Sequence, residues 1–358
     1  MKFILHIGMH KTGSSSIQDT FFRLRGGDIT YLPHHNANHS GWFVQQFEDE
    51  DEVENYHGFR AEGLTRDVIL ERRRKAFADL EAFMAREKPK TLLISAEGMS
   101  IPHFGKGVLS LRHYIDRLGV DAEVVGYLRP PASFAQSIFQ QSLQGASPAE
   151  FRFDNKMPNY RARFERFDEL FGRDRVKLKK FDPALLYKRD VVHDFAHEIG
   201  MDLQDSDVVR SNESLSLEAT ALLYVQRRFG QNFVGGFAGA WVNNYNFITR
   251  LNKIGSQKLA FASSLLEPAI KSRRADIAWA EERIGQSLAE EKSAYERLMT
   301  SEEDLIQIAF DCRTVLHEAT AGAFAFDRAD SVESLASALD CMRAACVAAP
   351  AAKPAVAL

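Results

Sequence analysis

A buried strand that runs into a glycine- and serine-rich turn constrains the fold of this chain more than any other feature. The apolar run at residues 2–7 ends at Gly8, and helical spacing of apolar residues begins at Ser14. In a turn between a strand and a helix, backbone N–H groups point at one spot, and the helix N-terminus adds partial positive charge. The sequence therefore predicts a strand, an anion-binding turn and a helix in direct succession.

Strand-like and helical segments continue to alternate along the first 200 residues. Further strands are predicted at 29–32, 91–95, 122–128 and 176–181. Strands that alternate with helices pair in parallel, and the crossover helices cover both faces of the sheet. We therefore expect a three-layer α/β sandwich of the P-loop-like kind, with a mainly parallel sheet of four or five strands.

The pattern changes after about residue 215, where no strand is evident. Helices are predicted there at 216–229, 256–271, 274–298 and 301–318, with a glycine-, asparagine- and aromatic-rich loop at 230–247. We expect an α/β core at 1–214, a helical C-terminal portion at 215–347 packed on the core, and a disordered tail at 348–358. Residues 34–65 are predicted to be an irregular surface excursion of the core that lines an acceptor cleft.

The composition excludes several classes of partner. The chain has 45 Lys and Arg against 49 Asp and Glu, a net charge of −4, so neither nucleic acid nor an anionic membrane is expected. No run of about 18 apolar residues occurs, so no membrane span is predicted. The three cysteines all lie near the C-terminus, which is typical of a reducing compartment. We expect a cytoplasmic protein, and the sequence leaves its oligomeric state open.

The turn after the first strand carries a lysine and several hydroxyl groups. Gly8 and Gly13 match the spacing of the Walker A pattern GxxxxGK[ST], but Ser14 replaces its lysine and the lysine here is Lys11. A lysine at that position neutralises a shorter anion, which disfavours a plain kinase or GTPase. The hydroxyls come from Thr12, Ser14, Ser15 and Ser16. Capping of the helix is the alternative, but it explains one serine and leaves the lysine unexplained.

A second strand, turn and helix occurs around Arg129. This arginine follows the strand at 122–128, and open α/β sheets bind ligands at the carboxyl ends of their strands. Pro130 and Pro131 stiffen the exit, and Ser137 lies early in the next helix. An arginine fork and a hydroxyl that converge on one point form a receptor for a terminal phosphate. The alternative is an Arg129 that pairs with a carboxylate and a Ser137 that faces solvent.

Together, the two segments resemble the family of sulfotransferases that depend on PAPS (3′-phosphoadenosine 5′-phosphosulfate). Residues 4–18 are similar to the 5′-phosphosulfate loop of that family, above all in its bacterial members. Arg129, with Ser137 eight residues later, matches the spacing of the 3′-phosphate site. Residues 175–186 and 275–285 resemble further stretches of the family more weakly.

The resemblance implies a role for each matched residue. Lys11 would contact the phosphosulfate bridge and stabilise the leaving phosphate. The 5′-phosphate would be held by the backbone and hydroxyls of Thr12, Gly13, Ser14, Ser15 and Ser16. Arg129 and Ser137 would hold the 3′-phosphate and so distinguish PAPS from ATP. No metal ion is implied, since lysine, hydroxyls and a helix dipole can meet the charge of the leaving group.

Sulfuryl transfer also needs a general base that removes the proton of the acceptor. Glu97 follows the strand at 91–95 and is the favoured candidate, because relatives that act on carbohydrates carry a glutamate after the corresponding strand. His103 and His10 are the alternatives. Without a catalytic role, Glu97 would only cap the turn beside Gly98.

The expected activity is transfer of the PAPS sulfuryl group to a hydroxyl, or an amine, of a carbohydrate, lipid or small metabolite. A divergent P-loop kinase or nucleotide hydrolase is one alternative, and a non-catalytic module that binds nucleotides or sulfated glycans is another. The acceptor itself is not encoded in these motifs. We expect its pocket to form from the loops at 34–65, 98–106 and 230–247.

Two groups of histidines could instead be interpreted as metal sites. His193 and His197 have the i, i+4 spacing of zinc-binding helices, but no third ligand is apparent in the sequence. His34, His35 and His39 lie in the surface excursion, where we expect a surface or cleft role.

Overall fold

The computed structural model has a parallel sheet at the centre of an α/β fold. The structure describes residues 1–24, 27–145, 148–211, 214–231, 237–290 and 297–348. Within these residues the strands are β1 (Lys2–His6), β2 (Ile29–Tyr31), β3 (Thr91–Ser95), β4 (Asp121–Leu128) and β5 (Val176–Lys180). They lie in the order β2-β3-β1-β4-β5, and every neighbouring pair is parallel.

Alternate residues of the central strands pack on opposite faces of the sheet, as the pleat requires. Phe3 and Leu5 of β1 join Leu92 of β3 in one core cluster. Ile4 and Leu93 point to the other face and lie in a second cluster. All five side chains are buried, as is typical of a parallel sheet covered by helices on both sides. The predicted three-layer fold class is confirmed.

Helices of the first half of the chain form the two outer layers. They are α1 (Ser14–Arg23), α2 (Ser40–Phe47), α3 (His57–Glu62), α4 (Arg66–Glu87), α5 (Gly105–Leu118), α6 (Pro131–Gln144), α7 (Tyr160–Phe171) and α8 (Val191–Glu198). Ile17 of α1 and Phe195 of α8 pack on the face of Ile4. Helices α2, α4, α5 and α7 cover the opposite face.

The second half of the described chain is helical. Its helices are α9 (Leu217–Phe229), α10 (Phe237–Leu251), α11 (Ser263–Ser272), α12 (Arg274–Ile284), α13 (Glu302–Asp311), α14 (Arg313–Ala319) and α15 (Val332–Ala348). Phe139 and Leu143 of α6 lie in the same core cluster as Leu222 of α9 and Leu335 of α15. Phe134 of α6 belongs instead to a cluster of the sheet. Helix α6 therefore joins the sheet to the C-terminal helices.

The segment 34–65 differs from the predicted irregular excursion, because it contains helices α2 and α3. Trp42, Phe43 and Phe47 of α2 are buried. The Phe47 ring lies 5.6 Å from the ring of Phe77 on α4. In the sequence, an acidic run begins directly after Phe47, where the apolar face of the helix ends. This run made the helix difficult to recognise.

The predicted aromatic loop at 230–247 is largely helical. Its residues from Phe237 onward belong to α10, where Phe247 and Leu251 are buried against the other C-terminal helices. Residues 232–236 of that loop lie outside the described part of the chain. Phe247, Ile248 and Leu251 pack into the core of the C-terminal helices, which favours a helix here despite the glycines and asparagines.

The predicted helix at 256–271 begins only at Ser263. The residues before it are extended and pair with the start of α9. The backbone N–H of Leu217 donates to the carbonyl of Gln257 at 2.7 Å, and Ser216 forms a β-bridge with Lys258. Backbone pairing has therefore overridden the helical pattern of this segment.

The predicted helix at 274–298 is shorter than expected, and the predicted helix at 301–318 is divided into two helices. Helix α12 stops at Gly285, whose φ of +67° is a left-handed conformation that glycine adopts without strain. Cys312 separates α13 from α14. Residues 291–296 lie outside the described chain.

None of the described helices combines the length and apolar character needed to cross a membrane. The predicted disordered tail lies outside the described residues, apart from Ala348, where α15 ends.

Candidate functional site

The sheet order brings the turns after three strands side by side. Strand β1 lies between β3 and β4, so their carboxyl ends meet at one edge of the sheet. A cavity of ≈ 1610 Å³ opens at this edge. Lys11 from the β1 turn, Glu97 from the β3 turn and Arg129 from the β4 turn all line it. This is where open α/β sheets bind their ligands.

The β1 turn is held in an unusual backbone conformation. Gly8, Lys11 and Gly13 have φ angles of +43°, +69° and +76°. A side chain at Gly8 would place its Cβ 2.7 Å from Ser14 Oγ, and one at Gly13 would come within 2.6 Å of Val191 Cγ1. The two glycines are therefore required for this turn. Lys11 adopts the left-handed region without being glycine, a strain that is typical of ligand-binding turns.

The hydroxyl groups of the turn divide into two kinds. Thr12 Oγ1 donates to the carbonyl of Met9 at 2.6 Å, and Ser16 Oγ accepts from the backbone N–H of Ser211 at 3.0 Å. These two hydroxyls stabilise the turn, and neither residue lines the cavity. Ser14 and Ser15 do line it. The Ser14 hydroxyl is buried and has no hydrogen-bond partner among the described residues.

Arg129 connects the β4 exit directly to the β1 turn. Its guanidinium donates from Nη1 to the backbone carbonyl of Lys11 at 2.5 Å and from Nε to Ser133 Oγ at 3.3 Å. The guanidinium also lies over the ring of Phe181, 5.6 Å from its centroid. The two segments that carry the sequence motifs are therefore neighbours in space.

Helix α6 presents hydroxyls beside this arginine. Ser133 and Ser137 are one helical turn apart and both line the cavity. Ser137 is 9% exposed. The sequence analysis identified Ser137 but missed Ser133, which the i, i+4 spacing on the same helix face would have revealed.

Glu97 and His10 lie together at the cavity wall. Glu97 begins a 3₁₀ turn directly after β3, and its Oε2 is 3.7 Å from His10 Nε2. His103 is placed elsewhere: its side chain is 52% exposed, lies 3.7 Å from Glu52 Oε2 and does not line the cavity. The structure brings two of the three candidate bases together and leaves the third at the surface.

Burial changes the acid–base properties of the groups at this wall. Burial lowers the pKa of Lys11, and the neighbouring Arg129 lowers it further, while Glu97 acts in the opposite direction. Burial also lowers the pKa of His10, which outweighs the opposing effect of Glu97. His10 is therefore a neutral imidazole near pH 7, able to accept a proton.

Arg163 of α7, which the sequence analysis did not consider, lies near His10 and Glu97, although it does not line the cavity. Its Nη1 donates to Ser100 Oγ at 3.3 Å. Burial lowers its pKa, and Glu97 acts in the opposite direction, which places this cation near the candidate base.

The histidines outside the β1 turn have varied surroundings. His193 Nε2 lies 2.8 Å from Asp205 Oδ1, and the His197 ring stacks on Tyr187 at 4.4 Å. No group of three or more potential metal-ligating side chains occurs in the described residues. His34 and His35 line the cavity, whereas the buried His39 accepts from the Ser95 N–H at 3.1 Å.

No family model matches the chain, and none of the curated proteins searched matches it. Among solved structures, the chain is similar to the crystal structure of a sulfotransferase from Alicyclobacillus acidocaldarius. The two are 16% identical with a TM-score of 0.44, and the similarity covers 79% of this chain and 96% of that chain. Fold similarity does not determine activity, which depends on the residues of the site.

Proposed function

We propose that this protein is a sulfotransferase that transfers the sulfuryl group of PAPS to an acceptor hydroxyl. The observation that carries the proposal is the hydrogen bond from the Arg129 guanidinium to the Lys11 carbonyl. It joins two anion-binding elements within one cavity at the carboxyl edge of the sheet. A nucleotide with phosphates at its 5′ and 3′ positions presents two anions to such a pair.

The first anion would be held at the N-terminus of α1. The left-handed conformation of Gly13 starts this helix, whose first N–H groups and dipole favour negative charge. The buried Ser14 hydroxyl lacks a partner in the described structure, so a bound oxyanion would satisfy it. Lys11 adds a full positive charge, and an anion would offset the cost of its burial.

The second anion would be held by Arg129, Ser133 and Ser137. A guanidinium and two hydroxyls on one helix turn suit the 3′-phosphate that separates PAPS from ATP. We call Lys11, Ser14, Ser15, Arg129, Ser133 and Ser137 the nucleotide arm of the cavity.

Sulfuryl transfer would then be an in-line displacement. The acceptor oxygen attacks sulfur while the bond from sulfur to the bridging oxygen of the donor breaks, and that electron pair remains on the 5′-phosphate of the departing product, PAP (3′-phosphoadenosine 5′-phosphate). The acceptor proton passes to Glu97, directly or through His10. Lys11 neutralises the charge that develops on the bridging oxygen.

A thermal-unfolding comparison tests the nucleotide assignment. A ligand that binds only the folded state raises the midpoint temperature of unfolding. PAP should raise this midpoint more than AMP does, because AMP lacks the 3′-phosphate. PAP should also raise it more than ADP with Mg²⁺ does. A larger shift with ADP and Mg²⁺ would favour a divergent kinase or hydrolase instead.

Transfer itself is tested with PAPS that carries sulfur-35. Label should move from PAPS to an acceptor, and PAP should accumulate in equal amount. Binding of PAP without transfer to any acceptor would reduce the protein to a nucleotide-binding module.

A further inference from the structure

The cavity is larger than one nucleotide requires. Pockets for single small molecules typically enclose roughly 300–1,000 Å³, whereas this cavity measures ≈ 1610 Å³. The nucleotide arm accounts for only part of the wall. A second part comes from the segment 34–62 together with Arg72 of α4, and we call it the acceptor arm.

Polar but uncharged side chains dominate the acceptor arm. Its hydrogen-bonding groups include His34, Asn36, Asn38, Gln45 and His57. Amides and neutral imidazoles each offer both donors and acceptors, as hydroxyl groups do. The apolar surface of the segment comes from the rings of Trp42, Tyr56 and Phe59 and from Ala61. A polyhydroxylated molecule finds hydrogen-bonding partners here, and the aromatic rings offer faces on which a sugar ring can pack.

The charge of the arm at neutral pH is close to balanced. Burial lowers the pKa of His34 to about 4 and also lowers the pKa of His57, so both imidazoles are neutral. The Arg72 guanidinium is paired with Glu62, with Nη1 3.3 Å from Oε2. The arm therefore presents no unpaired cation for a carboxylate or sulfate on the acceptor.

An aromatic residue of the acceptor arm, Tyr56, lies near the candidate base. Burial raises the pKa of Tyr56 to about 12, and the Glu97 carboxylate contributes to this increase. The phenol therefore lies near the carboxylate. A side chain at Gly58 would put its Cβ 2.8 Å from the Tyr56 ring. Gly58 therefore gives this ring its position, and tyrosine suits a ligand that is apolar on one face and polar at its edge.

We propose that the acceptor arm binds a neutral sugar residue of a glycan, so that the sulfated group is a sugar hydroxyl. This inference rests on the proposed function and specifies its substrate class. The uncharged donors and acceptors would bind the hydroxyls, and Tyr56 would pack on the sugar ring beside Glu97.

The test is a panel of acceptors incubated with the full chain and sulfur-35-labelled PAPS. The panel contains neutral cello-, chito-, manno- and galacto-oligosaccharides, an oligogalacturonate, dodecanol and 2-naphthol. We expect at least one neutral oligosaccharide to accept label about tenfold faster than any acceptor of the other three kinds. Faster transfer to one of those three, or no transfer to any neutral sugar while PAP still binds, overturns the inference. Absence of PAP binding would instead contradict the proposed function, on which this inference rests.

A pair of glutamine variants locates the acceptor. Gln45→Leu removes an amide from the acceptor arm, and Gln141→Leu makes the same change on α6, at a different part of the cavity wall. Loss of one neutral hydrogen bond should raise the KM for the oligosaccharide by about twofold to tenfold in the first variant only, with PAP affinity unchanged. Equal KM values in both variants and the parent would overturn the assignment of the sugar to this arm.

Discussion

The two arms of the cavity are built in different ways. Every group of the nucleotide arm comes from a strand-end turn or from the helix that follows it, so the sheet itself fixes the group in space. The acceptor arm comes mostly from α2, α3 and the connections between them, which form an insertion between β2 and β3. The ends of parallel strands determine the position of the proposed anion sites. The choice of acceptor depends instead on side chains of the inserted segment, whose conformation the sheet does not determine.

The arms also differ in their electrostatics. The nucleotide arm holds two cations close together, and burial and Arg129 both lower the pKa of Lys11. The acceptor arm holds neutral imidazoles and one internal ion pair. Because burying charge is costly, a bound anion would stabilise the nucleotide arm more than a neutral ligand would stabilise the acceptor arm. Perturbations should therefore be largest at the strand ends and smallest at sites remote from them.

The largest effect is expected where the two arms meet. Glu97→Gln keeps the shape of the side chain but removes its basicity, so kcat should fall by about 10²- to 10⁴-fold. PAP affinity, measured by calorimetry, should stay within about twofold. His103→Asn serves as the control, because His103 lies outside the cavity. A larger loss in His103→Asn than in Glu97→Gln would contradict the site.

The next largest effect concerns the nucleotide arm alone. Lys11→Met removes the cation that would neutralise the leaving group in the proposed mechanism, and the rate of sulfuryl transfer should fall by about 10²- to 10³-fold. Lys188→Met is the matched control, since Lys188 is also a lysine with a positive φ, +52°, but does not line the cavity. Equal rates for the two variants would remove Lys11 from the mechanism.

The same contrast between the arms explains what the sequence could and could not predict. The β1 turn and Arg129 are predictable because short motifs directly after strands determine their position. Arg163 reaches the site from α7 through tertiary packing, and local sequence does not encode that distance. The sequence favours Glu97 over His103 but leaves His103 as an alternative, and only the path of the chain after β3 separates them.

The fold shows the same limit in the C-terminal portion. Alternation of strands and helices is a local pattern, and it predicted the parallel sheet. The extended residues before α11 are different, because their partner is the start of α9, about 40 residues earlier in the chain. Likewise, α10 is helical because Phe247, Ile248 and Leu251 enter a core formed by helices distant in sequence.

A smaller effect should separate the two anion sites within the nucleotide arm. Arg129→Met should weaken PAP binding by about tenfold to hundredfold, since a hydrogen bond to a charged group contributes about 1.5–3 kcal/mol. Binding of AMP should weaken less, because AMP has no 3′-phosphate. Calorimetric titration with both nucleotides measures the difference. Equal losses for PAP and AMP would show that Arg129 acts only through its bond to the Lys11 carbonyl.

The smallest effect concerns the pH dependence of stability. It comes from two buried histidines, His6 and His39, that both contact Ser95. His6 Nδ1 is 2.7 Å from Ser95 Oγ, and His39 accepts from the Ser95 N–H. Burial lowers the pKa of each to about 3. Between pH 3 and 6.5 the unfolded chain therefore binds more protons than the folded one, so stability is lost as the pH falls through this window.

The expected slope is about 1.4 kcal/mol per pH unit for each histidine below pH 6.5. Denaturant unfolding at pH 7, 6 and 5 measures it. His39→Asn keeps an acceptor at the position of Nδ1 but cannot be protonated, so its slope should be smaller by one proton. His6→Asn should behave alike, because both imidazoles are buried next to the same serine. An unchanged slope in both variants would mean that other groups set the acid stability, and that these histidines are not held neutral by burial.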